Sequence, residues 1–288
     1  MTCNLQLSGV YYPELKYGNI SGYCRNQWCL LKEKVFNGVE IMTEFSGRTA
    51  MITGGASGMG LLTGEKLAEQ GANVALLDVN EEALAAAEEK IKAAGGKVIA
   101  LKVDIRKYAE VEAAEKRIVE TFGSLDILIN AAGGMSGRCC GDCTSFEKLP
   151  IEVIDWGLDV NLRGAIYCCR AVLAGMMERK RGVIINFGSV TGEEGGGGPS
   201  LDYSAEKSAM KGMTKSLAIL GAPHNVRSCC VIPGPVLTRP GMARMKTLLG
   251  RAAEPIELVD FILYLCSDKA AFITGSSHLI DGGRLLVR

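Results

Sequence analysis

Thr49-Ala50-Met51-Ile52-Thr53-Gly54-Gly55-Ala56-Ser57-Gly58-Met59-Gly60 is the stretch that decides how this chain folds. Its first five residues form an apolar, β-branched run that reads as a short buried strand. Gly54, Gly58 and Gly60 follow, and a helical pattern then continues through Gln70. Glycine lets a backbone come close to a pyrophosphate. A helix N-terminus then offers it unpaired N–H groups and the positive end of the helix dipole. The spacing G-x3-G-x-G differs from the general G-x-G-x-x-G dinucleotide fingerprint, so the weight lies in its place between first strand and first helix.

Outward from that loop the alternation is regular. Strands are predicted at Asn73–Asp78, Lys97–Val103, Leu125–Asn130, Gly182–Phe187, Val226–Ile232 and Ser277–Asp281. Helices are predicted at Glu81–Ala94, Tyr108–Phe122, Ile151–Glu178, Tyr203–Leu220 and Ile256–Ser267. Strands that alternate with helices of this length imply parallel βαβ units. The expected fold is α/β: a single Rossmann-like, doubly wound parallel β-sheet with helices on both faces. No linker divides residues 46–288, which read as one dinucleotide-binding domain. Residues 1–45 match nothing that follows. They carry scattered cysteines and no sustained period, and are expected to be a disordered or non-native leader rather than an arm over a neighbouring subunit.

Thirty-two basic residues balance 32 acidic ones, so no basic stripe points to nucleic acid. No apolar run approaches the roughly 20 residues that a membrane span needs. The eleven cysteines are odd in number, and several are adjacent. They read as reduced thiols of a cytoplasmic protein. Cys140 and Cys143 form a C-x-x-C, but no second ligand pair follows at zinc spacing and His224 and His278 are the chain's two histidines. No metal site is expected.

Asp78 ends the second strand, eighteen residues after Gly60. An acid there accepts hydrogen bonds from ribose hydroxyls and repels a 2′-phosphate, which predicts NAD over NADP. Farther along, Tyr203 and Lys207 stand four apart on a predicted helix, on one face. A phenol ionises near pH ~10 in water, and a fixed ammonium nearby favours the phenolate. Ser189 closes the strand Gly182–Phe187, at the strand end where ligands of open α/β sheets bind. This equipment suits proton exchange with a secondary alcohol or ketone.

Together these residues resemble the short-chain dehydrogenase/reductase family over nearly all of 47–288. The matching pieces are Thr53-Gly54-x3-Gly58-x-Gly60, Asp104, Asn130-Ala131-Ala132-Gly133, Asn161, Ser189, Tyr203-x3-Lys207, Pro233-Gly234 with Val236 and Thr238, and Asp281-Gly282-Gly283. The resemblance implies that Ser57 and Met59 meet the pyrophosphate and ribose, and that Asp104 and Ile105 face the adenine. It implies that Asn130, Ala131, Ala132 and Gly133 line the cofactor cleft. Asn161 would hold a water that links Lys207 to solvent. Pro233 would lie in the cofactor site, with Val236 and Thr238 holding the nicotinamide carboxamide. Asn161, Ser189, Tyr203 and Lys207 would be the catalytic set. Tyr203 and Lys207 would also touch the cofactor.

The implied activity is hydride transfer between NAD(H) and a secondary alcohol or ketone. Gly195–Gly198 and a short segment from Arg239 to Leu249 leave an open cleft, which suggests a hydroxysteroid or bile acid. A 3-oxoacyl-thioester reductase shares the motifs, but Asp78 weighs against its usual NADPH. A non-catalytic dinucleotide sensor is the alternative of another class, and the intact set of four weighs against it. The helices flanking the site resemble the family's subunit-pairing surface, which implies a homotetramer or homodimer. Glu206 and Lys211 look polar for that surface.

Overall fold

β1 (Thr49–Thr53) is buried along its whole length because parallel neighbours flank it on both edges and helices cover both faces. The computed structural model describes residues 43–136 and 145–287. Around β1 the sheet runs β3-β2-β1-β4-β5-β6-β7, all parallel. β2 is Asn73–Asp78, β3 Lys97–Lys102, β4 Ile127–Asn130, β5 Gly182–Phe187, β6 Val226–Pro233 and β7 Ser277–Ile280. Strand order reverses between β1 and β4. The crevice outside the strand C-termini at that reversal is where such sheets bind ligands.

Two apolar layers hold the sheet. One face packs on α1 (Gly58–Glu69), α2 (Glu81–Ala93) and α8 (Pro255–Cys266), through Leu67, Leu84, Ile91, Val259 and Ile262. The other packs on α3 (Tyr108–Phe122), α5 (Gly164–Glu178) and α7 (Leu201–Gly221), through Val111, Ile118, Val172, Met176 and Leu217. Truncating a fully buried strand residue such as Ile52 to alanine costs about 2–5 kcal/mol, the transfer term plus the cavity.

The expected elements are present, with informative differences. The long helix predicted at Ile151–Glu178 is α4 (Ile151–Leu158), a wider π turn at Asp159–Arg163, and then α5. Between the strand Gly182–Phe187 and the helix predicted from Tyr203, where no element was predicted, lies a one-turn helix, α6 (Thr191–Glu194). It forms against α7: Ser204 Oγ donates to Thr191 O at 2.8 Å and Ser208 Oγ donates to Gly192 O at 2.6 Å. Those partners are distant in sequence, so no local pattern announces the turn. Thr43–Phe45, assigned above to the leader, belong with the packed domain. Phe45 is 0% exposed, its N–H donates to Gln70 O at 3.0 Å, and Thr43 Oγ1 donates to the same carbonyl at 2.5 Å. The rest of the predicted leader, and Cys139, Cys140 and Cys143, lie outside the described residues.

Candidate active site

The glycine loop is shaped by what cannot fit. Gly54 has φ +65°, and a Cβ there would lie 2.9 Å from both the N and Cα of Ala132. A Cβ on Gly60 would run into Gly54 O. Glycine is therefore required where the loop folds onto itself and onto Ala131-Ala132. Gly58 differs: nothing lies within 4 Å of its Cβ position, so it borders open space. Ser57 enters α1 in extended conformation without a side-chain cap, and the first turn of α1 carries no acid. An uncapped helix N-terminus behind a bare loop fits a diphosphate. Met59 packs its side chain on the core beneath the loop.

Asp78 is tied to that loop. Its Oδ2 accepts from Ala56 N at 3.3 Å and its Oδ1 from Asn80 N at 3.1 Å. The carboxylate thus stands at the C-terminal end of β2, beside the glycines. Asp104 is held by a bidentate pair with Arg106, 2.8 Å at each oxygen, and the Arg106 bond keeps its carboxyl below the usual range. Ile105 is 7% exposed and its side chain packs where Gly164 leaves room. A contact from Ile105 to an adenine would therefore have to come from its backbone. The same holds for Asn130. Its side chain turns into the protein, donating to Asn186 Oδ1 at 2.9 Å and to Cys169 Sγ at 3.3 Å. That side chain ties β4 to β5.

Tyr203 and Lys207 stand on one face of α7, and the Lys207 nitrogen is 5.7 Å from the Tyr203 ring centroid. Lys207 Nζ also donates to Phe187 O at 3.0 Å, which anchors it at the end of β5, two residues before Ser189. Ser189 Oγ accepts from Thr191 N at 3.2 Å. Lys207 is 6% exposed, and burial lowers its pKa to about 8, against the opposing pull of Glu206 and Cys230. Asn161 sits in the π turn. Its Oδ1 accepts from Gly134 N at 2.9 Å, and its Nδ2 donates to Gly134 O at 2.9 Å and Glu206 Oε2 at 2.8 Å. Gly133 (φ +150°) lies between them: a Cβ there would strike Asn161 Oδ1 and come within 3.3 Å of Lys207 Nζ. The two protons of Asn161 Nδ2 are spent on these acceptors.

Pro233 ends β6, and its carbonyl accepts from Val190 N at 2.8 Å, joining the β5 and β6 ends. Val236 is 5% exposed and its carbonyl accepts from Thr238 N at 2.7 Å. Thr238 itself is exposed. These residues flank the same crevice as Lys207 and the glycine loop, at the strand C-termini.

Several polar residues here were not singled out by motif. Asn186 Nδ2 donates to Thr214 Oγ1 at 3.0 Å and to Ser228 Oγ at 3.4 Å, so a polar ladder runs from Asn130 across β5 to α7 and β6. A lone asparagine within the apolar run Gly182–Phe187 was its sequence signal. Glu206, expected on the pairing surface, is 1% exposed and faces Asn161 instead. Lys211 is half-buried against Glu193 at 2.8 Å. Neither is a stray charge on the outer face.

Comparison with known proteins agrees with this geometry. The family model described as short chain dehydrogenase matches residues 48–248. A 3beta-hydroxysteroid dehydrogenase 2 of Eggerthella lenta is 36% identical over 257 residues, covering 83% of this chain and 95% of that protein. A cyclopentanol dehydrogenase of Comamonas sp. is 35% identical over 253 residues, covering 84% and 98%. The oxidoreductase UcpA of Salmonella typhimurium is 34% identical over 262 residues, covering 85% and 97%. Among solved structures, an NAD+-bound xylitol dehydrogenase superposes with TM-score 0.76 at 26% identity, covering 83% of this chain and 100% of that one. The chain belongs to the short-chain dehydrogenase family, whose members are oxidoreductases that bind a nicotinamide dinucleotide.

Proposed function

We propose that this chain is an NAD-dependent dehydrogenase of secondary alcohols, with Ser189, Tyr203, Lys207 and Asn161 as its reaction centre. The observation that carries the reading is the buried Lys207 ammonium, 5.7 Å from the Tyr203 ring and fixed to Phe187 O. An anchored cation beside a phenol stabilises the phenolate that a general base needs. Ser189 donates its hydroxyl proton to the substrate oxygen and orients it. Tyr203 takes the carbinol proton, or returns it in the reverse direction. A bound nicotinamide dinucleotide supplies the hydride acceptor or donor. Asn161, clamped by Gly134 and Glu206, keeps the floor of the site rigid.

NAD is preferred because Asp78, fixed by Ala56 N, places a carboxylate where a 2′-phosphate would fall. The substrate class we favour is a hydroxysteroid or bile acid. The bare Gly195–Gly198 stretch and the similarity to a 3beta-hydroxysteroid dehydrogenase support it. The similarity to a cyclopentanol dehydrogenase supports the broader class of cyclic secondary alcohols. We place the protein in the cytoplasm, since Cys168, Cys169, Cys229, Cys230 and Cys266 are free and buried. No helix among the described residues is long and apolar enough to cross a membrane. A homodimer or homotetramer is supported by an apolar groove of about 400 Å³ between α5 and α7, lined by Ile166, Leu173, Met177, Met213 and Leu217.

The test is NADH formation across a panel of 3-hydroxysteroids, bile acids, cyclopentanol and small linear alcohols, each with NAD+ and NADP+. Turnover of steroids with NAD+ at higher kcat/KM than with NADP+ is expected. Activity with linear alcohols alone would reject the steroid class, and higher efficiency with NADP+ would reject the cofactor assignment.

A further inference from the structure

The chemistry proposed above uses the face of α7 that carries Tyr203 and Lys207. The adjoining face buries two carboxyl groups that this chemistry leaves without a task. Asp202 and Glu206 are 4% and 1% exposed and one helical turn apart. Both point at α4, where Gly157 leaves room for them. A Cβ on Gly157 would lie 2.7 Å from Glu206 Oε1 and 3.2 Å from Asp202 Oδ2. Donors are few. Ser136 Oγ donates to Asp202 Oδ2, and Asn161 Nδ2 donates to Glu206 Oε2 at 2.8 Å. The second oxygen of each, Asp202 Oδ1 and Glu206 Oε1, is buried with no hydrogen-bond partner among the described residues.

Two carboxylates crowded into one dry space with two donors repel each other and lack solvation. A proton retained on Glu206 relieves both costs. Burial first, and Asp202 second, push the Glu206 carboxyl up to about 7, with the Asn161 bond and Lys207 pulling the other way. Other charges near this part of α7 are accounted for. On α4, Asp155 is exposed; in the π turn, Asp159 pairs with Arg163 at 2.6 Å. On α6, Glu193 pairs with Lys211; on α5, Arg170 lies over the Tyr108 ring. In the turn Phe146–Lys148, Glu147 and Lys148 are exposed. On β6, burial pushes the Cys230 thiol up to about 11. Asp202, Tyr203 and Lys207 are left as the neighbours of Glu206.

We propose that Glu206 is a positioning residue of the reaction centre: it clamps Asn161, and the charge it carries with Asp202 sets the pH range over which Tyr203 and Lys207 exchange protons. The inference rests on the reading of Tyr203 and Lys207 given above. Its sign follows from Coulomb's law. A carboxylate at Glu206 favours the protonated forms of both Lys207 and Tyr203. Removing it moves both ionisations to lower pH. Below about pH 6 Glu206 is already neutral, and the difference vanishes.

The experiment titrates the full chain by tyrosinate difference absorbance, subtracting a Tyr203→Phe variant to isolate Tyr203. In Glu206→Gln the Tyr203 ionisation is expected to move down by about one pH unit. In Glu206→Asp, which keeps the charge, it is expected to stay near the parent curve. The pH profile of kcat with NAD+ and cyclopentanol should shift in the same direction, with the KM for NAD+ unchanged. A Glu206→Gln curve that superimposes on the parent above pH 7 overturns the proposal. So does a Glu206→Asp shift as large as that of Glu206→Gln, since a purely structural role moves both alike. A parent protein that turns over no alcohol sinks the dehydrogenase reading instead, and the tyrosinate titration still decides the influence of Glu206 on Tyr203.

Discussion

The two halves of the crevice are built on different principles. On the β1–β3 side the site is made of backbone and of absent side chains: Gly54 and Gly60 touch their neighbours so closely that a methyl group has no room. On the β4–β6 side it is made of buried polar side chains that satisfy one another: Asn130, Asn186, Thr214 and Ser228 in one ladder, Asn161 bonded to Glu206, and Lys207 fixed to Phe187 O beside the Tyr203 ring. The difference teaches that a cofactor's phosphates can be met by fixed geometry. Proton transfer needs charges of adjustable energy, and those must be held by partners.

That contrast can be broken from either side. Lys207→Ala should act mainly on chemistry: turnover is expected to fall by about 10²–10⁴-fold, well beyond the fall in NADH affinity by fluorescence titration, since the variant loses one cofactor contact while the glycine loop is untouched. Equal losses in both would erase the division. Gly60→Val should do the reverse. The new side chain collides with Gly54 O, and NADH affinity is expected to fall by about tenfold or more, which is at least about 1.4 kcal/mol. Unchanged binding would show that the loop tolerates bulk. Asn186→Ala removes the middle of the polar ladder and strands the Asn130 amide. Urea unfolding should report a loss of about 1–3 kcal/mol with KM values near the parent's. A stability change below a few tenths would mean that the ladder is incidental. The smallest expected effect is Asp78→Ser, which removes a charge from the ribose end. The ratio of kcat/KM for NAD+ over NADP+ should fall by about fivefold, just under about 1 kcal/mol, and a ratio that does not move would free Asp78 of that role.

Legibility in the sequence followed the same division. The glycine loop, the strand and helix alternation and the four-residue step from Tyr203 to Lys207 are local patterns, and each survives in the fold with boundaries displaced by a residue or two. What escaped depends on contacts between distant segments. Nothing around Glu206 says that it points at Asn161, 45 positions away. Nothing local marks Gly157 as the gap that admits two carboxyl groups. The α6 turn exists because α7 supplies its hydroxyl donors. Nothing near Asn130 says that its side chain leaves the cleft to its neighbours. Strand alternation sends it into the sheet–helix layer instead, onto Asn186 and Cys169.

In the proposed reaction a phenolate at Tyr203, held by the Lys207 ammonium, moves the carbinol proton. The most direct measurement compares Tyr203→Phe with the parent in NADH formation from NAD+ and an accepted alcohol, alongside NADH binding by fluorescence. Turnover reduced by about 10²–10⁴-fold with binding intact is the predicted result. Turnover within a few fold of the parent would contradict it and move the chemistry to another group.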